Sequence, residues 1–275
     1  MLELPEAKVL AGQINDTLAG KRIVAIITAH SPHKFAWFNG PPEEYQRLLI
    51  GQTIGGAAAH GGMVEIQAGQ VRLLFGDGVN LRFHSKGDKR PSKHQLLMDF
   101  EDGTMLSASV QMYGGLWCFQ EGRFENPYYQ AALQKPSPLG IEFDRAYFDT
   151  LIDGSEAGKM SAKAWLATEQ RIPGLGNGVL QDILYNALIH PKRKIGSLSE
   201  GEKEALFGAV KDTLADMVVR GGRDTEKDLF GEAGSYKTKA SKLTVGNTCP
   251  VCGGTIRKES YLGGSIYYCD QCQKI

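Results

Sequence analysis

The sequence predicts an α+β protein in which strands dominate the first half and helices dominate the second. Short apolar runs of strand length, separated by turn residues, fill residues 22–119. Apolar residues then recur at helical spacing across residues 161–219. The chain ends in two Cys-x-x-Cys pairs, a pattern typical of a small metal-bound hairpin.

The first predicted element is a helix over residues 5–18. Pro5 suits the first turn of a helix, and Val9, Leu10 and Ile14 fall on one side of it. The strands predicted next are 22–29, 62–67, 71–75, 94–100 and 115–119, with turns at the Gly-Asp-Gly of 76–78 and the Glu-Asp-Gly of 101–103.

A domain boundary is indicated between residues 121 and 139, which contain three prolines and two adjacent tyrosines. We therefore predict a strand-rich domain over residues 1–122 and a linker over residues 123–150. A helical domain over residues 151–240 and a zinc finger over residues 241–275 are predicted to follow.

A loop rich in glycine, PGLGNG over residues 173–178, separates two helices of the second half. The first helix is expected to end near Arg171, and the second to stop before Pro191. Backbone N–H groups at such a loop, leading into a helix N-terminus, favour an anion such as a nucleic-acid phosphate. A tight corner between two helices is the alternative interpretation. The apolar side of the second helix is predicted to comprise Val179, Leu180, Ile183, Leu184, Ala187 and Leu188.

The charges balance, with 31 Lys and Arg against 31 Asp and Glu, which argues against an indiscriminate polyanion binder. Basic residues still cluster, and they indicate either a nucleic-acid footprint or a solvated face. The clustered residues are His190, Lys192, Arg193, Lys194, Arg220, Arg223, Lys237, Lys239 and Lys242. The sequence has neither a long apolar run nor a basic leader followed by one, so we predict a cytoplasmic protein that is not membrane-bound, nucleoid-associated in a bacterium.

The two cysteine pairs, Cys249 with Cys252 and Cys269 with Cys272, are separated by sixteen residues. Two such pairs can place four thiolates around one Zn²⁺, and the glycines between them favour a β-hairpin. Four protein ligands leave no open coordination position, so a structural role is expected. Two disulfides are the alternative, which suits secreted chains. Cys118 lies in an apolar run and is predicted to be buried.

Jointly, the opening MLELPE, the loop PGLGNG followed by IHPKRKIGSLS, and the ending CPVC…YYCDQC resemble the formamidopyrimidine-DNA glycosylase and endonuclease VIII (Fpg/Nei) family. The resemblance covers both ends and the centre of the chain, in the same order. It implies an N-terminal β-sandwich flanked by helices, a helix–two-turn–helix domain and a zinc-finger hairpin. It also implies that a monomer binds double-stranded DNA, damaged or bent, in a cleft between its domains.

The resemblance assigns DNA contacts to several residues. Asn177 would hydrogen-bond a phosphate from the turn, beside the backbone of Gly176 and Gly178. Lys192 and Arg193 would extend this footprint. In the place of the family's Arg-x-Phe pair, which helps to fill the gap left by an extruded base, the chain has Gln111 and Tyr113.

The family's catalytic group is an N-terminal proline amine, which attacks C1′ of the damaged nucleotide while the adjacent glutamate exchanges protons. This chain keeps Glu3 and Glu6, but Leu2 occupies the position of the proline. Met1 is expected to remain before a bulky residue, which displaces the free amine by up to about 3.8 Å. A displacement of that size is expected to be costly for catalysis.

Other positions also depart from the family pattern. Gly62 occupies the place of a catalytic lysine, and Val79 or Asn80 the place of the single wedge residue. Gly264 and Ser265 stand where the zinc finger carries an arginine.

Two functions of different classes follow. The first is a binder of damaged, abasic or bent DNA with little or no glycosylase activity. The second is an active bifunctional DNA glycosylase and abasic-site lyase for oxidised bases, which uses the N-terminal amine and Glu3. An RNA-directed role or a protein-interaction scaffold is the remaining alternative.

Overall fold

The computed structural model describes residues 1–154 and 156–275. The chain divides into two compact units, and the α+β class predicted from the sequence is confirmed. The first unit comprises Met1–Gln130 and Glu226–Gly234, and the second comprises Ala131–Thr225 and Ser235–Ile275. The domain ranges drawn from the sequence remain predictions, and they did not anticipate that residues 226–234 belong to the first unit.

The first unit begins with helix α1 (Leu4–Leu18) and contains a second short helix, α2 (Glu44–Leu49). Its strands are β1 (Ile23–Thr28), β2 (Ala36–Phe38), β3 (Ile54–His60), β4 (Met63–Ala68), β5 (Val71–His84), β6 (Leu96–Phe100) and β7 (Met105–Gln120). They form one sheet in the order β1-β6-β7-β5-β4-β3, antiparallel throughout, and β2 joins β7 in parallel. Helix α1 packs on β3 and β4.

The predicted turn at residues 76–78 is wrong, because β5 runs straight through it. The pairing register with β7 shifts between Asp77 and Val79, where Asp77 adopts a left-handed φ of 60°. A β-carbon on Gly78 would lie 2.5 Å from the Tyr113 carbonyl oxygen, so glycine permits the two strands to stay paired there. The Gly-Asp-Gly sequence therefore marks a bulge within a long strand and not the end of a strand.

The core of the first unit lies between the sheet and α1. Leu10, Ile14 and Leu18 of the helix meet Ile66, Phe75 and other strand residues that are fully or nearly buried. Cys118 is 2% exposed, as predicted, and burial raises the pKa of its thiol to about 12. Its role is that of a small apolar side chain.

The second unit contains the helices α3 (Pro127–Gln134, whose start belongs to the first unit), α4 (Arg145–Ile152), α5 (Ala162–Ala167), α6 (Val179–Asn186) and α7 (Glu200–Val219). The antiparallel hairpin of β8 (Ile256–Tyr261) and β9 (Gly264–Cys269) follows. Side-chain caps fix several helix starts: Asp144 accepts from the Tyr147 N–H, and Ser199 and Glu202 form a capping box.

Of the two helices that flank the glycine-rich loop, the first ends earlier than predicted and the second stops before Pro191, as predicted. Helix α5 stops at Ala167 and not near Arg171, because Glu169 and Gln170 adopt left-handed φ values of 59° and 47°. Helix α6 stops at Asn186, and Leu188, with a φ of 57°, is 51% exposed and not part of the apolar side. Along residues 1–154 and 156–275, none of the helices combines the length and the apolar character that a bilayer crossing requires.

Candidate functional site

The first two residues are held in different ways. Leu2 is 8% exposed, packs in the core of the first unit, and donates its backbone N–H to the Asp77 carbonyl across 2.7 Å. Met1 is 40% exposed, and its terminal ammonium pairs with the Glu226 carboxylate. In the chain as it stands, the free amine belongs to Met1 and has an acidic partner.

The two glutamates of the opening stretch are both buried. Glu3 is the N-cap residue of α1, with extended backbone, and Glu6 lies in the first turn. Only 3% and 6% of their surfaces are exposed. Negative charge is favourable at a helix N-terminus, which stabilises carboxylates in this position. The cleft beside them is lined in part by Met1, Leu2, Glu6, Asn80, Arg82 and Glu226.

Tyr113, predicted as a DNA contact, lies next to this cleft. Its hydroxyl is 3.9 Å from the Met1 sulfur, and its ring centroid is 5.8 Å from that of the half-exposed Trp37. Burial raises the pKa of Tyr113, and the negative charges of Asp77 and Glu3 raise it further. Tyr113 is thus a neutral phenol beside the N-terminus.

Gly62 and the two candidate wedge residues, which depart from the family pattern, lie at different places in the first unit. Gly62 lies in the turn of the β3–β4 hairpin, between the paired residues His60 and Met63. Both line the cleft, but Val79 is 2% exposed whereas Asn80 is half-buried. Of the two wedge residues considered, Asn80 is the accessible one.

The middle of the segment 226–234 is anchored to the rest of the first unit. Leu229 is fully buried in the core, and its carbonyl accepts the Phe83 N–H across 2.9 Å. Gln13 donates to the Asp228 carboxylate at 2.8 Å and accepts from the Leu229 N–H at 3.0 Å. This anchoring places Glu226 beside Met1. Sequence reasoning missed Glu226, because no local pattern relates residues 225 positions apart.

In the second unit, the glycine-rich loop contacts the β8–β9 hairpin. Asn177 donates from its side-chain amide to the Ser265 carbonyl across 3.0 Å. The buried Gln181 donates to the Asn177 carbonyl at 2.9 Å and accepts the Tyr267 N–H at 2.9 Å. The loop and the hairpin are therefore joined by polar contacts through two amide side chains.

The glycines of the loop contribute through their backbone groups and their backbone conformation. Gly178 is the N-cap residue of α6, and the Gly176 carbonyl accepts the Leu180 N–H at 3.3 Å. Gly174 adopts a φ of 85°, which favours glycine. The loop thus leads directly into the helix N-terminus, the location expected to favour an anion.

Two of the predicted basic residues have acidic partners within the second unit. Lys192 pairs with Glu259 of β8, and Arg193 pairs with Glu202 of the α7 capping box. His190 is 2% exposed, and burial lowers its pKa, with a further lowering from the charge of Lys192. Burial therefore favours the neutral form of His190.

Lys163, which the sequence did not single out, lies beside Lys192. Its ammonium donates to the Tyr261 carbonyl at the tip of the hairpin, and burial lowers its pKa. The Lys163 and Lys192 ammonium groups lie 5.8 and 5.6 Å from the Tyr261 ring centroid. Both ammonium groups therefore lie within cation–π range of the ring at the hairpin tip.

The four paired cysteines converge as predicted. Their sulfur atoms all lie within 4.8 Å of one another, with Cys249 to Cys272 at 3.9 Å and Cys252 to Cys269 at 3.4 Å. A tetrahedral set of thiolates around one ion has sulfurs roughly 3.8 Å apart, so the arrangement fits a metal ion. The Tyr185 hydroxyl lies 3.0 Å from the Cys249 sulfur and links α6 to the site.

Comparison with known proteins gives similarity over the whole chain. Residues 1–116 match the family model described as formamidopyrimidine-DNA glycosylase N-terminal domain. The chain is 26% identical to the formamidopyrimidine-DNA glycosylase of Listeria innocua and 27% identical to that of Listeria monocytogenes, and both alignments cover 100% of each protein. Its fold is similar to Lactococcus lactis Fpg in complex with abasic site containing DNA, with a TM-score of 0.83, 23% identity, and coverage of 99% of this chain and 100% of that one.

Proposed function

The chain belongs to the formamidopyrimidine-DNA glycosylase and endonuclease VIII family, and we propose that it binds damaged, abasic or bent double-stranded DNA with little or no glycosylase activity. The observation that carries this proposal is the state of the N-terminus. Leu2 replaces the proline nucleophile, its nitrogen donates to the Asp77 carbonyl, and its side chain is in the core. With Met1 in place, this nitrogen belongs to a peptide bond and cannot act as an amine nucleophile.

DNA binding is supported by the glycine-rich loop and the hairpin of the second unit. One N–H of the Asn177 amide is used by Ser265, and the second can donate to a phosphate. Lys192 and the backbone of Gly176 and Gly178 would add to this contact, which positions the duplex without reading its sequence. The relatives of similar fold include a protein in complex with abasic site containing DNA.

Zn²⁺ is the ion we propose for the four-cysteine site, because a tetrahedral set of thiolates is its usual structural environment. When bound, it would stabilise the hairpin that contacts Asn177. The protein would act as a monomer in the cytoplasm, on the nucleoid in a bacterium.

The test is to compare binding and covalent trapping on the same DNA. We expect electrophoretic shifts with an abasic duplex at low salt, stronger than with intact duplex, and no adduct on treatment with borohydride. Absence of any shift at low salt would reject the binding proposal. A borohydride-stable adduct would reject the proposed loss of activity.

A second candidate function is an active glycosylase and abasic-site lyase. It is favoured by the partly exposed Met1 residue, which carries the amine and lines the cleft, and by the buried Glu3 close to it in sequence. In that case the Met1 nitrogen would form the Schiff base, and mass spectrometry of the trapped adduct would locate the DNA on the N-terminal peptide.

A further inference from the structure

Either of two nitrogens at the start of the chain could supply a free amine, and each has an acceptor within the first unit. If Met1 is retained, the amine is that of Met1, which pairs with Glu226. If Met1 is removed, the amine is that of Leu2, which lies 2.7 Å from the Asp77 carbonyl oxygen. The side chain of Leu2 is buried, so the start of the chain cannot slide along the cleft without exposing it.

Glu226 has a defined position because its segment is anchored a few residues further on. Leu229 is buried in the core of the first unit, and Asp228 is bonded to Gln13. Arg82, a nearby cation, donates from Nη1 to the carbonyls of Leu81 and Asp228 at 2.6 and 2.8 Å. Met1 thus provides a positive charge that pairs with Glu226, and Arg82 and Lys227 line the same cleft.

We propose that Glu226 is a positioning residue that holds the Met1 ammonium at the cleft and keeps its nitrogen from acting as a nucleophile. An ammonium that donates to a carboxylate has no lone pair with which to attack a carbon atom. This inference deepens the proposed function, on which it rests, since it accounts for low lyase activity through a contact that can be removed.

The experiment measures how fast the α-amine of the full-length protein is acylated by an amine-selective reagent at fixed pH and low salt. The modified N-terminal peptide is quantified by mass spectrometry. Glu226→Gln is expected to raise the rate by about two- to five-fold, the range that corresponds to a partly exposed ion pair. Glu226→Asp should stay close to the wild-type rate.

Glu232→Gln is the matched control, because this exposed glutamate lies on the same segment and its substitution makes the same change in charge. It should leave the rate unchanged. Salt screens the ion pair, so raising the salt concentration should increase the acylation rate of the wild type towards that of Glu226→Gln. This measurement uses the wild-type protein alone and does not depend on the folding of a variant.

Equal rates for the wild type and Glu226→Gln, with no effect of salt, would overturn the inference, as would a mature chain that begins at Leu2. The labelling uses no DNA, so its outcome is separate from that of the binding proposal. With abasic DNA, Glu226→Gln should also yield more borohydride-trapped adduct than the wild type.

Discussion

The side-chain amide of Asn177 donates to the backbone carbonyl of Ser265 across 3.0 Å, which joins the glycine-rich loop to the hairpin that carries the four cysteines. This contact fixes the orientation of an amide that is proposed to bind a phosphate. Because hydrogen bonds to charged groups contribute about 1.5–3 kcal/mol, Asn177→Ala should weaken binding of an abasic duplex by at least about ten-fold. Fluorescence anisotropy with a labelled duplex measures the change.

Asn247→Ala serves as the control for this substitution, since Asn247 is exposed and precedes the first cysteine pair. The affinity of this variant for the duplex should remain within about two-fold of the wild-type affinity, the size of effect expected for a surface substitution. Equal losses for both variants would show that the effect is not specific to the loop.

Removal of the metal should unfold the hairpin and abolish DNA binding together. The hairpin has few apolar residues of its own, among them Ile256 and Ile266, so we expect a metal ion at the proposed site to supply much of its stability. Treatment with a strong chelator, or the Cys269→Ser substitution, should release one ion per chain, measured with a colorimetric zinc indicator. Cys118→Ala should keep the ion, because Cys118 lies in the other unit.

Local patterns were sufficient to predict some of this molecule. Helix α1 and the convergence of the four cysteines follow from spacing over a few residues, and both are confirmed. The bulge at Asp77 was not predictable, because a Gly-Asp-Gly sequence is equally typical of a turn. Whether β5 continued depended on its pairing with β7, which lies about thirty residues further along the chain.

Local sequence patterns were also insufficient to predict the contacts of the candidate site. The partners of Lys192 and Arg193 are carboxylates brought in by β8 and α7, so their local charge is lower than the run of basic residues suggested. Glu226 reaches Met1 only because Leu229 is drawn into the core of the first unit. Such contacts depend on tertiary packing, and residue spacing does not encode them.

The Arg193–Glu202 pair should make stability depend on pH. Glu202 accepts hydrogen bonds from the Arg193 side chain and from the Ser199 N–H. These two bonds, the first being the stronger cause, lower the pKa of Glu202 from 4.5 to about 2. A lowered pKa means that the stabilisation is complete above about pH 4.5 and is lost as the pH falls towards 2. After allowance for solvent screening, this contribution is about 1 kcal/mol.

Urea unfolding at pH 7 and at pH 3 measures this effect. Glu202→Gln should lower the free energy of unfolding at pH 7 and have a smaller effect at pH 3, where the wild-type carboxylate has lost part of its advantage. An equal loss at both pH values would mean that the capping bonds of Ser199 matter and the charge of Glu202 does not.

The Lys192–Glu259 pair predicts opposite effects for its two members. If Lys192 contacts a phosphate, Lys192→Ala should weaken binding of all duplexes alike and reduce the salt dependence of the affinity by about one unit of the log–log slope. Glu259→Gln removes the competing carboxylate, so it should strengthen binding. Lys203→Ala is the control, because Lys203 pairs with Glu200 within α7. If instead the pair only supports the hairpin, both substitutions should weaken binding, and neither should change the slope.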